Sequence, residues 1–319
     1  MIFSNQVICV TGAAGIVGQS VVRHLLTLGA KVVALTYKNR TLDLPENKDL
    51  EIRSIDLSDY KNAVVALRDA DGVFHLASFI KGAGGQSDSS NTIDLVRLNT
   101  SLAMNVFSAA AVNGAKWVMS LGSSTMYPAV DFPVSEEFGY VGQPHPVYEG
   151  VGFMKRYSES IATYFNKKTS TRFYLCRTTA IYGPYDQFNS DGHVIPQLIV
   201  KASQKPKILD VWGDGCQVRD FVYVDDVVDA MVTILKSGSP MRPYNCATGR
   251  GVTIAEIAET IAGHYDPEMK IRFDPSKPTM ITQRLVDVSR IEAELGWKAS
   301  VDCIHEGLKR TLSWFDSQG

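Results

Sequence analysis

The 319-residue chain lacks an excess of charge of either sign: 32 Lys and Arg against 34 Asp and Glu leave a formal net charge of −2, with 21% charged residues. Without a basic stripe or an acidic tail, nothing in it suits a nucleic-acid backbone, and a small molecule is the expected partner. Cysteine is scarce. Cys9, Cys176, Cys216, Cys246 and Cys303 are odd in number, far apart and mostly set in apolar runs. That argues against a disulfide framework and against a metal site, and fits the reduced thiols of a cytoplasmic protein. No apolar segment precedes the first expected strand, and no uninterrupted apolar run approaches the roughly 20 residues that span a bilayer, so no membrane is expected. Internal repeats and low-complexity tails are missing too. What remains is a chain long enough for a large core, in one elaborated domain or in two divided after the first half.

The stretch that organises it lies near the N-terminus. Val7–Thr11 is apolar and β-branched, Gly12-Ala13-Ala14-Gly15-Ile16-Val17-Gly18 is a glycine-rich turn, and Gln19–Leu28 carries apolar Val21, Val22, Leu25, Leu26 and Leu28 at helical spacing. Strand, loop and helix in that order make a phosphate cradle, because the glycines let backbone approach a diphosphate and the helix N-terminus offers unpaired N–H groups. Gly12, Ala14, Gly15, Ile16 and Val17 are therefore expected to touch a dinucleotide. Lys31–Thr36 reads as the second strand, whose end meets the adenosine ribose. An acid there would favour the 2′-hydroxyl of NAD. Thr36 stands in that place with Lys38 and Arg40 after it, which tilts the NAD(P) choice towards NADP.

Further strands are expected at Glu51–Ile55, with Asp56 and Leu57 at the adenine, and at Gly72–Ala77, where Leu76, Ala77 and Ser78 brush the cofactor and His75 is a packed strand residue. A helix covers Tyr60–Leu67, and residues 80–91, rich in Gly and Ser, are expected to form a mobile loop over the cofactor. Ile93–Asn113 is a long helix and Lys116–Ser120 a fifth strand. The β-α alternation predicts an α/β fold, a doubly wound parallel Rossmann sheet with a smaller α/β substrate-binding domain, and places ligands at the carboxyl ends of the strands. Chemistry is then expected just after Ser120.

There the chain reads Leu121-Gly-Ser-Ser-Thr-Met-Tyr-Pro128. Later come Tyr182-Gly-Pro184, His193-Val-Ile-Pro196, Val211-Trp-Gly-Asp-Gly215, Arg219-Asp-Phe-Val-Tyr-Val-Asp-Asp226 and Leu295-Gly-Trp297. In this order the motifs resemble, over nearly the whole chain, the extended short-chain dehydrogenase/reductase (NAD-dependent epimerase/dehydratase) family, nearest its GDP-L-fucose synthase-like branch of nucleotide-sugar enzymes. The resemblance implies a Ser on the substrate oxygen, a Tyr that moves its proton, and a Lys that holds the nicotinamide ribose and lowers the Tyr pKa. Ser123 and Lys155 match the first and last. Tyr and Lys should lie four apart on one helix face. Aligned on Lys155, with Glu159 following as in relatives, Val151 stands where Tyr should be; aligned on Tyr148, Gly152 takes the lysine position and Glu159 is misplaced. An uninterrupted helix would put Tyr148 and Lys155 on one face about 10 Å apart, though Gly150 and Gly152 each weaken it by up to ~1 kcal/mol. Tyr148, or a residue such as Tyr127, is expected to have taken over the proton.

Other departures narrow the reaction. Thr125 replaces the cysteine that serves epimerisation in that branch, and Ser124-Thr125 lacks the Asp-Glu pair of the 4,6-dehydratases. Simple hydride transfer at a sugar carbon, C4, remains. His193 matches an acid-base histidine of the branch, so the catalytic candidates are Ser123, Thr125, Tyr148, Lys155 and His193. Ala180 stands where relatives carry Asn. For the substrate, the resemblance adds Tyr182 as a pocket wall, Val194, Lys201 and Trp212, Arg219 as a fork for the diphosphate, and Lys277 and Arg284 in a nucleotide-binding loop from Pro275. Residues 1–180 are expected to bind NAD(P) and 181–319 the nucleotide sugar, with exchange near 220–250. The expected activity is that of an NAD(P)-dependent oxidoreductase on a GDP-linked sugar, in a homodimer or higher homo-oligomer, which the resemblance implies is built through the helices near 93–113 and 153–166. An epimerase that retains its cofactor and a catalytically silent nucleotide-sugar binder are the alternatives.

Overall fold

The computed structural model describes residues 3–38, 40, 42–44, 46–79, 89–189, 192–277, 279 and 281–318. In its first half, β1 (Val7–Thr11), α1 (Ile16–Thr27), β2 (Lys31–Thr36), β3 (Leu50–Ser54), α2 (Tyr60–Ala66), β4 (Gly72–His75), α3 (Ser89–Val112), β5 (Trp117–Ser123), α4 (Glu149–Lys168) and β6 (Arg172–Thr178) alternate. β7 (Ala180–Tyr182), α5 (Val194–Ser203), β8 (Ile208–Trp212), β9 (Val218–Arg219), β10 (Phe221–Tyr223), α6 (Val224–Ser237) and β11 (Pro243–Cys246) follow. The chain closes with β12 (Val252–Thr253), α7 (Ile254–Tyr265), β13 (Lys270–Asp274), β14 (Gln283–Arg284), α8 (Ser289–Leu295) and α9 (Ile304–Asp316).

Seven of these strands, among the described residues, form a sheet in the order β11-β6-β5-β4-β1-β2-β3, parallel at every pairing. The order reverses beside β1, so its crevice opens at the carboxyl ends of β1 and β4, where doubly wound sheets take ligands. The inner strands β1, β2, β4 and β5 are largely buried on both faces because helices cover both, whereas the edge strand β3 is polar and exposed. On one side α1 and α6 bury Val21, Val22, Leu25, Val227 and Met231; on the other, α2 and α3 bury Ala63, Leu102, Val106, Phe107 and Ala110. β11 and α6 come from late in the chain, yet they complete this layer. A smaller core gathers Ile195, Leu198, Leu209, Ile257, Ile261, Leu308 and Leu312 from α5, β8, α7 and α9.

Three boundaries differ from the sequence reading for local reasons. β4 ends at His75 and not Ala77, because the Thr11 hydroxyl oxygen accepts the amide protons of Leu76 and Ala77 at 3.1 and 3.0 Å and turns the chain off the ladder. β5 runs on past Ser120 to Ser123, since β6 pairs with it as far as Ser123↔Thr178. α4 spans Gly150 and Gly152 without a break. A Cβ on Gly152 would lie 2.5 Å from the Pro144 Cβ and 2.7 Å from the Thr125 carbonyl oxygen, so glycine is what lets the helix start against the loop after β5. Of the loop expected at 80–91, residues 80–88 lie outside the described residues. Ile93–Val112 of α3 is long and apolar enough to cross a membrane by length and composition, and here one face of it lies in the core beside α2 and α4.

Candidate active site

The glycine turn has the geometry its spacing demanded. Gly12 sits at φ +67°, and a Cβ there would lie 2.7 Å from both the Cα and the amide nitrogen of Ala77. A Cβ on Gly18 would lie 2.2 Å from the Gly12 carbonyl oxygen, so α1 seats directly on the turn. Gly15 caps α1 with no side-chain hydrogen bond and no acid stands in the first turn. The N–H groups opening the helix at Ile16 and Val17 thus keep their positive end for an anion. At the end of β2 the Thr36 hydroxyl is buried with no partner among the described residues. Lys38 and Arg40 are exposed beyond it, with the Lys38 Nζ 5.3 Å from the centre of the Tyr37 ring.

At the end of β3, exposed Asp56 accepts from the Ser58 amide and hydroxyl at 2.9 and 2.7 Å, while Leu57 is buried. At the end of β4, Ser78 donates its hydroxyl proton to Asn99 Oδ1 at 3.0 Å, and Asn99 also takes the Phe79 amide and donates to the Phe79 and Leu95 carbonyls. Asn99, buried and fully bonded, fixes this strand end from α3; no sequence motif marks it. An uncapped helix start, a turn where any Cβ would collide, and an orphaned ribose-side hydroxyl fit a dinucleotide. Gly12→Ala is expected to weaken nicotinamide cofactor binding at least about tenfold, since it needs both a left-handed alanine and a shift of Ala77. Fluorescence titration checks it, and unchanged affinity would rule the cradle out.

Ser123 ends β5, and its oxygen accepts the Thr125 amide and hydroxyl protons at 3.3 and 3.1 Å, leaving its own proton to donate. Lys155 projects from α4 so that its Nζ donates to the Leu121 carbonyl at 3.0 Å, two residues before Ser123 on the same strand. Loss of water around the ammonium lowers its pKa to about 8, against a smaller opposing pull from Glu159. Glu159 itself is spent: Arg177 Nε and Nη2 donate to its two oxygens at 2.8 and 2.6 Å in a pair almost closed to solvent. His75 is buried, and burial together with the Lys155 charge pushes it down to about 3, so it is neutral, as a packed strand histidine should be.

Val151 stands one turn before Lys155 and carries no proton. Tyr127 does not replace it: the ring is wholly buried, its hydroxyl donates to Asn245 Oδ1 at 2.5 Å and accepts from Arg177 at 3.2 Å, and burial raises its pKa. Tyr148 is the residue before α4, not part of it, and its phenol lies close to the Arg219 guanidinium, whose pKa it raises against burial.

That contact opens the second half of the site. Arg219 and Arg284 lie side by side in the parallel β9–β14 register. Arg219 donates to the Val218, Thr282 and Ile281 carbonyls, and Arg284, buried, donates to the carbonyls of Pro128 at 2.8 Å and Tyr127 at 3.4 Å, in the loop that follows Ser123. Burial depresses both guanidiniums, and Tyr148 is the group raising Arg219. Neither makes an ion pair with a carboxylate among the described residues, and the Arg284 Nε is buried without a partner. His145 faces both cations; burial and their charge lower its pKa. Two desolvated guanidinium forks side by side could hold an anion.

The other expected site residues are scattered. Tyr182 is not a pocket wall: it is 1% exposed, edge-on to Phe221 and Tyr223, and α9 approaches so closely that a Cβ on Gly307 would lie 1.8 Å from its hydroxyl. The aromatic at the end of β7 fills the smaller core instead. His193 is exposed at the start of α5, where its charge pulls down the buried Asp186 carboxyl that burial raises. Val194 is half-buried beside it and packs on the smaller core. Lys201 donates to the Asp210 carbonyl at 3.4 Å, Trp212 is 45% exposed at the end of β8, and Lys277 is exposed in the turn after β13, with Pro278 outside the described residues. Thr179, directly after β6, was missed; its buried hydroxyl has no partner among the described residues and lies one residue past the partner of Ser123. No group of metal-ligating side chains occurs among the described residues.

Residues 8–247 match the model of a family described as the NAD dependent epimerase/dehydratase family. The chain is 30% identical over 316 residues to a probable GDP-L-fucose synthase 1 of Oryza sativa subsp. japonica, covering 96% of this chain and 90% of that one. It is also 30% identical over 322 residues to a dTDP-4-dehydro-6-deoxy-D-allose reductase of Streptomyces sp, covering 98% and 97%. The solved structure of MoeE5 in complex with UDP-glucuronic acid and NAD superposes with a TM-score of 0.83 at 26% identity, covering 98% of this chain and 99% of that one.

Proposed function

The chain belongs to the NAD dependent epimerase/dehydratase family, and on that premise we propose that it is an NAD(P)-dependent oxidoreductase acting at C4 of a nucleotide-linked sugar, with GDP as the nucleotide. The observation that carries the reading is the pair Arg219 and Arg284, desolvated, without a carboxylate partner among the described residues, and tied through Pro128 and Tyr127 to the loop after Ser123. A diphosphate held there would set its sugar beside the end of β5. Bound nicotinamide would supply or remove the hydride. Ser123 donates a hydrogen bond to the substrate oxygen, Lys155 holds the nicotinamide ribose, and the amide groups at the start of α1 hold the pyrophosphate. Lys38 and Arg40, with no acid at Thr36, favour NADP.

The relatives' names support a nucleotide-sugar substrate, and the rice fucose synthase and its branch support GDP. The purified protein should oxidise a reduced nicotinamide when offered a GDP-4-keto-6-deoxy sugar, or reduce the oxidised form when offered the corresponding alcohol, followed by absorbance of the reduced cofactor. Turnover with NADH alone would remove the NADP preference, and tight cofactor binding without turnover of any sugar would favour a silent binder.

The partner proposed for α3 and α4 is a second copy of the chain. Phe153, Tyr157 and Tyr164 stand 43%, 38% and 59% exposed along one face of α4, and Ile93 and Val112 are 70% and 69% exposed on α3. The α4 residues recur at helical spacing, the pattern of a packed interface. Tyr164→Glu is expected to convert a dimer to monomer in light scattering after size exclusion; a monomeric parent protein would dismiss this interface.

A further inference from the structure

Val151, one turn before Lys155, has no acidic proton to give, so another group must serve the substrate oxygen. We propose that Lys155 is itself the proton donor and acceptor for the substrate oxygen, an assignment that rests on the reading of the site given above. The competing groups are otherwise engaged. Tyr127 is sealed between Asn245 and Arg177. Tyr148 stands ahead of α4 beside the Arg219 guanidinium, and His193 lies exposed on α5 beside Asp186.

Lys155 is placed differently. Its Nζ is held at the Leu121 carbonyl, on the strand that ends in Ser123. The elements around it carry few charges: Glu159 on its own helix has both oxygens on Arg177 of β6, and His75 of β4 is neutral. Nothing among these is free to hold the ammonium as a fixed cation. Drawn out of water, it exchanges its proton near pH 8, close to the working range a general acid-base needs. In reduction, hydride reaches the carbonyl carbon, the C=O π pair moves to oxygen, and that oxygen takes a proton from the Lys155 ammonium. One N–H bond breaks, one O–H bond forms, and the neutral amine is reprotonated from solvent. Oxidation of the alcohol runs the same transfer backwards.

The test has one arm without turnover. Competitive acetylation of the cofactor-free protein with acetic anhydride, read by peptide mass spectrometry over a pH series, should give Lys155 a midpoint near about 8; a midpoint at the ordinary lysine value of about 10.4 overturns the proposal. The second arm uses Lys155→Arg, which keeps the cation but cannot release its proton. It should keep cofactor Kd within about threefold while kcat falls about 10²-fold or more and its pH limb disappears. Lys155→Met, which loses the cation too, should weaken cofactor as well, and its melting temperature confirms folding. Turnover that survives Lys155→Arg overturns this assignment alone. A parent protein that binds cofactor and turns over no nucleotide sugar overturns the proposed function together with it.

Discussion

Arg177→Met is expected to destabilise the protein by about 3–5 kcal/mol, because it leaves a buried carboxylate without its partner. Arg177 holds Glu159 through two bonds, the Glu136 carbonyl at 2.8 Å and the Tyr127 hydroxyl at 3.2 Å. Burial alone would depress its guanidinium, but the Glu159 carboxylate raises it above its ordinary value. From Tyr127 the network continues through Asn245, whose amide nitrogen donates to Glu136 Oε1 at 2.7 Å and whose side chain donates to Val134 and Asp287. One side chain therefore joins α4, the loop after β5 and β11. At about 2–4 °C per kcal/mol for a chain of roughly this size, the melting temperature should fall by on the order of 10 °C in calorimetry. Glu159→Gln should cost nearly as much, since it strands the cation. The double variant Arg177→Met/Glu159→Met should recover at least half of the loss, because removing both charges removes the desolvation penalty as well. A loss below about 1 kcal/mol for Arg177→Met would show that the charges are solvated in the folded state and that the pair does not hold these elements together.

The double variant Arg219→Gln/Arg284→Gln should weaken nucleotide-sugar binding by about 10²- to 10⁴-fold, at roughly 1.5–3 kcal/mol for each of two charge-assisted hydrogen bonds removed, with cofactor affinity unchanged. Calorimetric titration of GDP and of the nucleoside separates the causes: the parent protein should prefer GDP strongly, and the double variant should bind the two alike. Added salt should weaken the parent's GDP affinity only modestly, because both guanidiniums are drawn out of water and buried charges are screened less. If GDP affinity survives the double substitution, the anion site is elsewhere and the proposed orientation of substrate fails with it.

Much of the fold was legible in local pattern. The apolar β1, the Gly12–Gly18 turn and the periodicity of α1 announced themselves because each is a short-range requirement: a left-handed residue, a close approach, one buried face. Thr36, Lys38 and Arg40 were nominated by counting strands, and Ser123 by the family resemblance of the stretch that begins at Leu121. Asn99 and Thr179 had no such signal. Their importance lies in what their polar atoms meet, or fail to meet, in a neighbouring segment, and nothing in the flanking residues marks it. Tyr182 misled for the complementary reason: an aromatic at a strand end serves equally to wall a pocket or to fill a core, and α9, more than a hundred residues later, closed on it at Gly307.

The sequence by itself determined the class of fold, the place of the glycine turn and the absence of a tyrosine four residues before Lys155, all properties of spacing along one chain. Tertiary structure decided the rest. It sealed Tyr127, put Tyr148 beside Arg219, set Arg219 and Arg284 in one register, and spent Glu159 on Arg177 so that Lys155 was left with a backbone carbonyl. Which proton a side chain can move depends on its water and on its neighbours' charges, and those are set by segments far apart in the chain.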